Sequence, residues 1–348
     1  MIPTKKKIAV LHPEVSTQGG AVTMMLYLAG LLAEKGNEVV FFTTKYTKEN
    51  FEVHKKITFF VGSKIQILFQ LRNFDYIFIG NSPMHFVGVS AKILHFSKTK
   101  LFWWHHHYPW YYNKNANFYV FLKKILEKFS LLFIDEILVN SVYLQKAIQQ
   151  LYKKDSKILY PVVDKIFLNT NKNKITKKTK TTLFTYGRWV EGKNLKQILK
   201  TYDDIKHRFS RLDLYIAGVG KELEVFQEKY KNDNNVHFVG FLDKIQLVQY
   251  LQKTRVFLFP SRIDSFGMSA AEAISMGVPV IGFIGKGLSE IVQNNKNGCT
   301  VESEQDFTKK TLELLQNDII YEQMQKFIHN CPNKFSDIYF TEQLDKIF

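Results

Sequence analysis

The feature that most constrains this chain is a rhythm: short β-type apolar runs alternate with segments of helical length, and the pattern occurs twice. In the first half the runs are Ile8–His12, Val39–Thr43, Tyr76–Ile79, Leu101–Trp104 and Ile137–Asn140. Between the first two lies Ala21–Glu34, with helical apolar spacing and a stop signal at Gly36. The second half repeats this with Thr182–Tyr186, Leu212–Ala217, Val236–Val239, Val256–Phe259 and Val278–Gly282, and helices are expected from Asn194, Asp243 and Ser269. Strands that wait a helix-length for their successor cannot pair as hairpins. They predict parallel sheets covered by helices on both faces.

The two halves are joined by a stretch that cannot enter a core. Residues 169–182 are rich in Asn, Lys and Thr, with five lysines between Lys172 and Lys180. A single core rarely grows past about 250–300 residues, so 348 residues with 45% hydrophobic composition predict two domains. The expected division is 1–165, a linker over 166–181, a second domain over 182–328, and a helical segment over 329–348 returning to the first domain. Two doubly wound domains facing each other would leave a cleft between the carboxyl ends of their sheets, where such folds bind ligands.

Charge narrows the partners. The balance of 48 Lys+Arg against 32 Asp+Glu gives +16, which favours anionic ligands or surfaces. No helix-turn-helix, RNA-recognition or zinc-finger pattern accompanies it, so nucleic acid is not expected. The apolar run behind Lys5–Lys7 is too short for a signal-peptide core. The nearest candidate for a membrane span, Phe266–Gly285, is interrupted by Glu272. The two cysteines, Cys299 and Cys331, fit a reducing compartment, and a cytoplasmic location follows as the expectation. Residues Phe118, Phe121, Leu122, Ile125, Leu126, Phe129 and Leu132 share one helical face, opposite Lys123, Lys124, Glu127 and Lys128. Packing of that stripe on the sheet is the plainer expectation. A helix lying on an anionic membrane, on the inner face of the cytoplasmic membrane, is the sharper one.

Two segments carry chemistry. The first, Gly187-Arg188-Trp189-Val190-Glu191-Gly192-Lys193-Asn194, leaves a strand and opens a helix. A small residue lets a ligand approach the backbone, and Arg188 and Lys193 supply cations for phosphate oxygens. The second runs from Phe259 to Ala273. It sets Asp264 in a loop, Phe266, Gly267 and Met268 at a helix start, and Glu272 one turn into an otherwise apolar helix. A carboxylate there needs a polar partner, and a sugar or ribose diol is a natural one.

Together these segments resemble the retaining nucleotide-sugar glycosyltransferases of family 4, whose G-R-x4-K-N segment is intact here and whose E-x7-E segment stands as Asp264-x7-Glu272. The order of Gln18-Gly19-Gly20, Asn140-Ser141, Tyr160-Pro161-Val162-Val163-Asp164, Ile216-Ala217-Gly218-Val219-Gly220 and Phe238-Val239-Gly240-Phe241 extends the likeness over nearly the whole chain. The resemblance implies a GT-B fold of two facing Rossmann-like domains. It implies a transfer of sugar, with retention, from a nucleotide diphosphate (UDP or GDP) to a hydroxyl of a glycan or lipid-linked acceptor in cell-surface polysaccharide synthesis. A phosphorylase or synthase on the same fold, or a weakly active scaffold, is the alternative. Arg188 and Lys193 would hold the diphosphate, Glu272 the ribose, and Asp264 the donor sugar. Gly19, Gly20, Gly187, Gly218, Phe241, Phe266, Gly267 and Met268 would complete the donor site. Asp264 departs from the family by one methylene.

The run Trp103-Trp104-His105-His106-His107-Tyr108-Pro109 ends a strand of the first half. The family has a single His at this place, near the donor sugar. His107 fits best and His105 second, the two being expected on one face of the strand. No Cys or carboxylate stands nearby to complete a metal site, and no D-x-D motif exists. The expectation is therefore catalysis without a divalent metal or other cofactor, with cations and helix ends stabilising the leaving diphosphate.

Overall fold

The computed structural model describes residues 5–16, 19–48, 51, 53–107, 118–169, 181–331 and 334–347. The chain divides into two units between Tyr160 and Pro161.

In the first unit the strands are β1 (Lys7–Leu11), β2 (Glu38–Thr43), β3 (Ile57–Val61), β4 (Tyr76–Ile79), β5 (Lys100–His105), β6 (Glu136–Val139) and β7 (Lys157–Ile158). All pair in parallel, in the order β3-β2-β1-β4-β5-β6-β7. Ala9 lies in register with Val40 on one side and Ile77 on the other, so the winding reverses between β1 and β4. Ile8, Ala9, Val10 and Leu11 are all fully buried, as a strand covered on both faces must be. The helices are α1 (Gly20–Glu34), α2 (Lys64–Gln70), α3 (Met84–Leu94), α4 (Phe118–Ser130) and α5 (Val142–Tyr152). Ser63 and Gln66 form a capping box at the start of α2, and Ser141 caps α5 by accepting from Leu144 N at 3.1 Å.

The stripe on α4 departs from the plainer expectation. Phe121, Leu122, Ile125, Leu126 and Phe129 are exposed, and Glu127 and Ser130 are the buried residues, at 1% and 2% exposure. The polar side is satisfied locally: Ser130 Oγ donates to Leu126 O at 2.9 Å.

In the second unit α6 (Lys165–Asn169) leads into β8 (Thr182–Arg188), α7 (Leu195–Ile205), β9 (Asp213–Val219), α8 (Lys221–Lys229), β10 (Val236–Gly240), α9 (Lys244–Lys253) and β11 (Val256–Phe259). There follow α10 (Met268–Ser275), β12 (Val280–Phe283), α11 (Leu288–Ile291), β13 (Gly298–Val301), α12 (Glu304–Gln316), α13 (Asp318–Asn330) and α14 (Asp337–Ile347). The sheet is again parallel, in the order β10-β9-β8-β11-β12-β13, and reverses between β8 and β11. Its core joins Leu183, Leu214, Ile216, Leu258, Ile281 and Phe307.

Two expected boundaries move. Residues 161–169 group with the second unit, because Phe167 on α6 is buried and α6 packs against α9 and α10. Thus 166–169, expected as linker, are helical, while 170–180 lie outside the described residues. The C-terminal segment was expected to return to the first domain, yet residues through Lys346 also group with the second unit. There Asp337 pairs with Lys165 at 3.0 Å.

Candidate active site

In a doubly wound sheet the loops part on either side of the reversal, leaving a crevice at the carboxyl edge. In the second unit that crevice lies between β8 and β11, and the two singled-out segments are the loops that leave those strands. Gly187 and Arg188 end β8. Residues 260–267 connect β11 to α10, and Ile284-Gly285-Lys286-Gly287 follows β12.

These loops are fastened to one another. Trp189 donates from its backbone N to Val219 O and from Nε1 to Ala217 O, both at 2.8 Å. Gly218 has φ +112°, and a Cβ there would stand 1.8 Å from Gly187 O, so only glycine lets β9 close on β8. Arg262 N donates to Gly192 O at 3.0 Å. Ser261 Oγ accepts from the N–H groups of Ile263 and Asp264, both at 3.3 Å, which fixes the turn carrying Asp264. Behind it, a Cβ on Gly287 would lie 2.1 Å from Ser265 O.

The electrostatics follow from this framework. Lys193 Nζ reaches both oxygens of Asp264, at 2.8 and 2.7 Å, with about a quarter of each side chain exposed (22% and 26%). Arg188 is exposed at the strand end. Lys286, which the sequence reading missed, sits where the charges of Asp264 and Arg262 act on it; burial lowers its affinity for a proton. A strand followed by Gly-Lys-Gly was the available signal. Glu272 keeps some accessible surface, but burial pushes its carboxyl up to about 7 against the opposing hydrogen bond that Tyr186 Oη donates to Glu272 Oε2. Tyr186 was also missed, although it adjoins Gly187 in the motif. Gly267 caps α10 from the left-handed region and its carbonyl accepts from Ala270 N at 3.0 Å and Ala271 N at 3.1 Å, which leaves the amides of Met268 and Ser269 at the open end of the helix.

One assignment needs correction. Phe266, expected among donor-binding residues, is buried and meets Phe335 edge-on at 5.1 Å. Its side chain braces the loop and faces the core. Phe241, just past β10, is 56% exposed.

The first unit has its own carboxyl edge at the β1/β4 reversal. His12, directly after β1, bonds through Nδ1 to Glu14 O at 2.8 Å and through Nε2 to Asn81 Nδ2 at 3.3 Å. Burial lowers it to about 4, so it is neutral, donating from Nδ1 and accepting at Nε2. His107 is exposed at this edge, and its charge acts on His12. His105, the second choice, ends β5 buried against Trp103 and Tyr152, with ring centroids 4.0 and 6.1 Å away. The strand stops there, so strand alternation does not carry His105 and His107 to a common site. His106 is buried, and its carbonyl accepts from Asn140 Nδ2 at 2.8 Å. Gly19 and Gly20 start α1; Gln18, Tyr108 and Pro109 lie outside the described residues. Among the described residues no group of three or more His, Cys, Asp or Glu could hold a metal ion.

Comparison with known proteins decides the lineage. The model for "Glycosyl transferases group 1" matches residues 168–333, and that for "Glycosyltransferase Family 4" matches residues 18–165. The chain belongs to this family. An uncharacterized glycosyltransferase of Haemophilus influenzae is 23% identical over 92% of this chain and 93% of its own. A 41.2 kDa protein from the cps region of Klebsiella pneumoniae is 25% identical over 90% of each chain. Among solved structures, HepE of Anabaena in complex with UDP and glucose superposes with a TM-score of 0.76 at 14% identity, over 98% of this chain and 99% of that one. The fold of this glycosyltransferase is thus GT-B, with a Rossmann-like sheet in each unit.

Proposed function

We propose that this glycosyltransferase moves a sugar from a nucleotide diphosphate, of which UDP is the best supported, to a hydroxyl acceptor with retention at the anomeric carbon. The observation that carries this reading is that Arg188 at the end of β8, Lys193 and Asp264 on the loops that follow β8 and β11, and Glu272 on α10 belong to the segments at the β8/β11 reversal. Arg188, Lys193 and the amides of Met268 and Ser269 at the start of α10 would take the diphosphate, with Lys286 beside them. Glu272 would accept from the ribose hydroxyls, and Phe241 offers an exposed ring to the base. UDP in the HepE structure supports that choice of nucleotide.

Within this reading Asp264 is not the nucleophile of a double displacement. Both its oxygens are engaged by Lys193, which makes it a poor nucleophile. The departing phosphate then serves to take the proton of an acceptor hydroxyl that attacks on the face it leaves, with the cations holding the developing charge. The acceptor is a glycan or lipid-linked glycan of a cell-surface polysaccharide assembled on the cytoplasmic side; the Klebsiella relative's place in a cps region supports this. His107, at the edge of the first unit, would meet the donor sugar.

The test is release of nucleotide from UDP-, GDP- and ADP-sugars, with and without EDTA, and NMR of the product's anomeric proton. One donor is expected to turn over unchanged in EDTA and to give the donor's own anomeric configuration. Inversion, or activity restored only by Mg²⁺ or Mn²⁺, would refute the corresponding part.

A further inference from the structure

The outward face of α4 is an interaction surface that the donor chemistry does not use. Phe121, Leu122, Ile125, Leu126 and Phe129 are each 43–55% exposed. The helix packs beside α3, and α3 beside α2, and these neighbours add Leu94 at 48%, Phe96 at 93% and Phe69 at 53%. Exposed large apolar residues in this number on neighbouring helices mark an interaction surface in a folded protein. The helix is also held in this orientation. Its inward side carries the buried Glu127, whose carboxyl burial raises to about 7 against a hydrogen bond from Tyr152 of α5. Turning the helix over would bury the phenylalanines, yet the fold keeps them out.

Charge identifies the occupant. Residues 61–74, 84–98 and 118–134 contain seven cations, of which Lys92 is paired with Asp135 at 2.7 Å; Lys64, Arg72, Lys98, Lys123, Lys124 and Lys128 stand against one carboxylate, the buried Glu127. A second copy of this chain would bring the same six cations against these. A surface both apolar within and anionic at its boundary matches the whole set, and a lipid bilayer bearing anionic headgroups is such a surface. We propose that the first unit docks on an anionic membrane through α4 and the adjoining ends of α2 and α3, the phenylalanines entering the headgroup–acyl boundary and the lysines meeting the phosphates.

The test is co-sedimentation of the full chain with vesicles of phosphatidylcholine alone and of phosphatidylcholine with phosphatidylglycerol. Binding is expected with the anionic vesicles, weakening as salt rises. Loss of one cation, as in Lys128→Gln, is expected to weaken it about fivefold, and Phe121→Ser with Phe129→Ser at least about tenfold. Both phenylalanines are already half exposed, so the double variant should fold, checked by circular dichroism and by unchanged nucleotide binding in the other unit. Val225→Ser, at an exposed site on α8, is expected to bind vesicles as the parent does. Equal binding to both vesicles at low salt would overturn the proposal, as would an unaffected double variant. So would a dimer in light scattering that the double variant dissolves without any lipid binding, which would make a second copy the occupant.

Discussion

Replacing Tyr186 by Phe removes one hydroxyl and leaves the ring, which still meets Phe257 edge-on at 5.3 Å. What is lost is the hydrogen bond to Glu272. A bond to a charged acceptor is worth about 1.5–3 kcal/mol, and each 1.36 kcal/mol is one pH unit. Glu272, ionising at about 7 in the parent, is then expected to ionise about 1–2 pH units higher in the variant. Ribose hydroxyls donate to the carboxylate, so nucleotide binding needs the ionised form and tightens as pH rises. For the parent, Kd should be about twofold above its alkaline limit at pH 7 and about tenfold above it at pH 6. For Tyr186→Phe the same curve should be displaced to higher pH, with binding at pH 7 weaker than the parent's by about tenfold. Calorimetric titration of the nucleoside diphosphate between pH 5.5 and 9 measures both curves. The 2′,3′-dideoxy nucleotide, which lacks the donors, should show much less dependence. Parent and variant curves that coincide, or a dideoxy nucleotide with the full dependence, would refute the pairing of Glu272 with ribose.

Arg188→Ala and Lys193→Ala are each expected to lower kcat by about 10²–10³ with a smaller change in KM, since their cations meet charge that develops on the leaving phosphate; near-parental kcat in single turnover would remove them from the mechanism. Glu272→Gln is expected to stabilise the apo protein at pH 8 and not at pH 4, by thermal unfolding. The folded carboxyl holds its proton to about 7 and the unfolded one only to 4.5, so the native state binds more protons between these values. Stability therefore falls as pH rises through that window, and the substitution removes the loss. Gly218→Ala is expected to destabilise the second unit by more than about 3 kcal/mol, since the new Cβ would meet backbone at 1.8 Å with φ at +112°; an unfolding midpoint within a degree of the parent's would contradict this.

Legibility of the fold followed burial. Strands Tyr76–Ile79 and Val256–Phe259 were readable to the residue because both faces are covered and the whole run is apolar. The edge strand β3, with a half-exposed pattern, and the two-residue β7 gave no such run. The site was readable where it depends on local chain chemistry, as in Gly187-Arg188 and the turn bearing Asp264. It was unreadable where partners come from distant positions. Tyr186 and Glu272 are 86 residues apart, and nothing in either segment announces the other. Phe266 shows the reverse, since a residue within the same segment turns its side chain to the core. The α4 stripe misled because periodicity establishes that a helix is two-sided and says nothing about which side turns inward.

The same comparison assigns the pH dependence of the reaction. The buried histidines of the first unit are held neutral: His12 ionises near 4 and His85 near 3, while His105 and His106 are lowered well below the usual imidazole value by burial. None of these four can supply an inflection near neutrality. Two carboxyls can, Glu272 in the second unit and Glu127 in the first, both raised to about 7 by burial. They differ in what their ionisation touches. Glu272 faces Tyr186 at the carboxyl edge of the second sheet, whereas Glu127 sits on the inward side of α4 and is coupled to Tyr152. An inflection in nucleotide affinity therefore belongs to Glu272 and should survive Glu127→Gln. An inflection in vesicle binding, at fixed salt, belongs to Glu127, because a carboxylate formed on that side of α4 subtracts charge from the cationic face and must be accommodated within the packing that holds the phenylalanines outward.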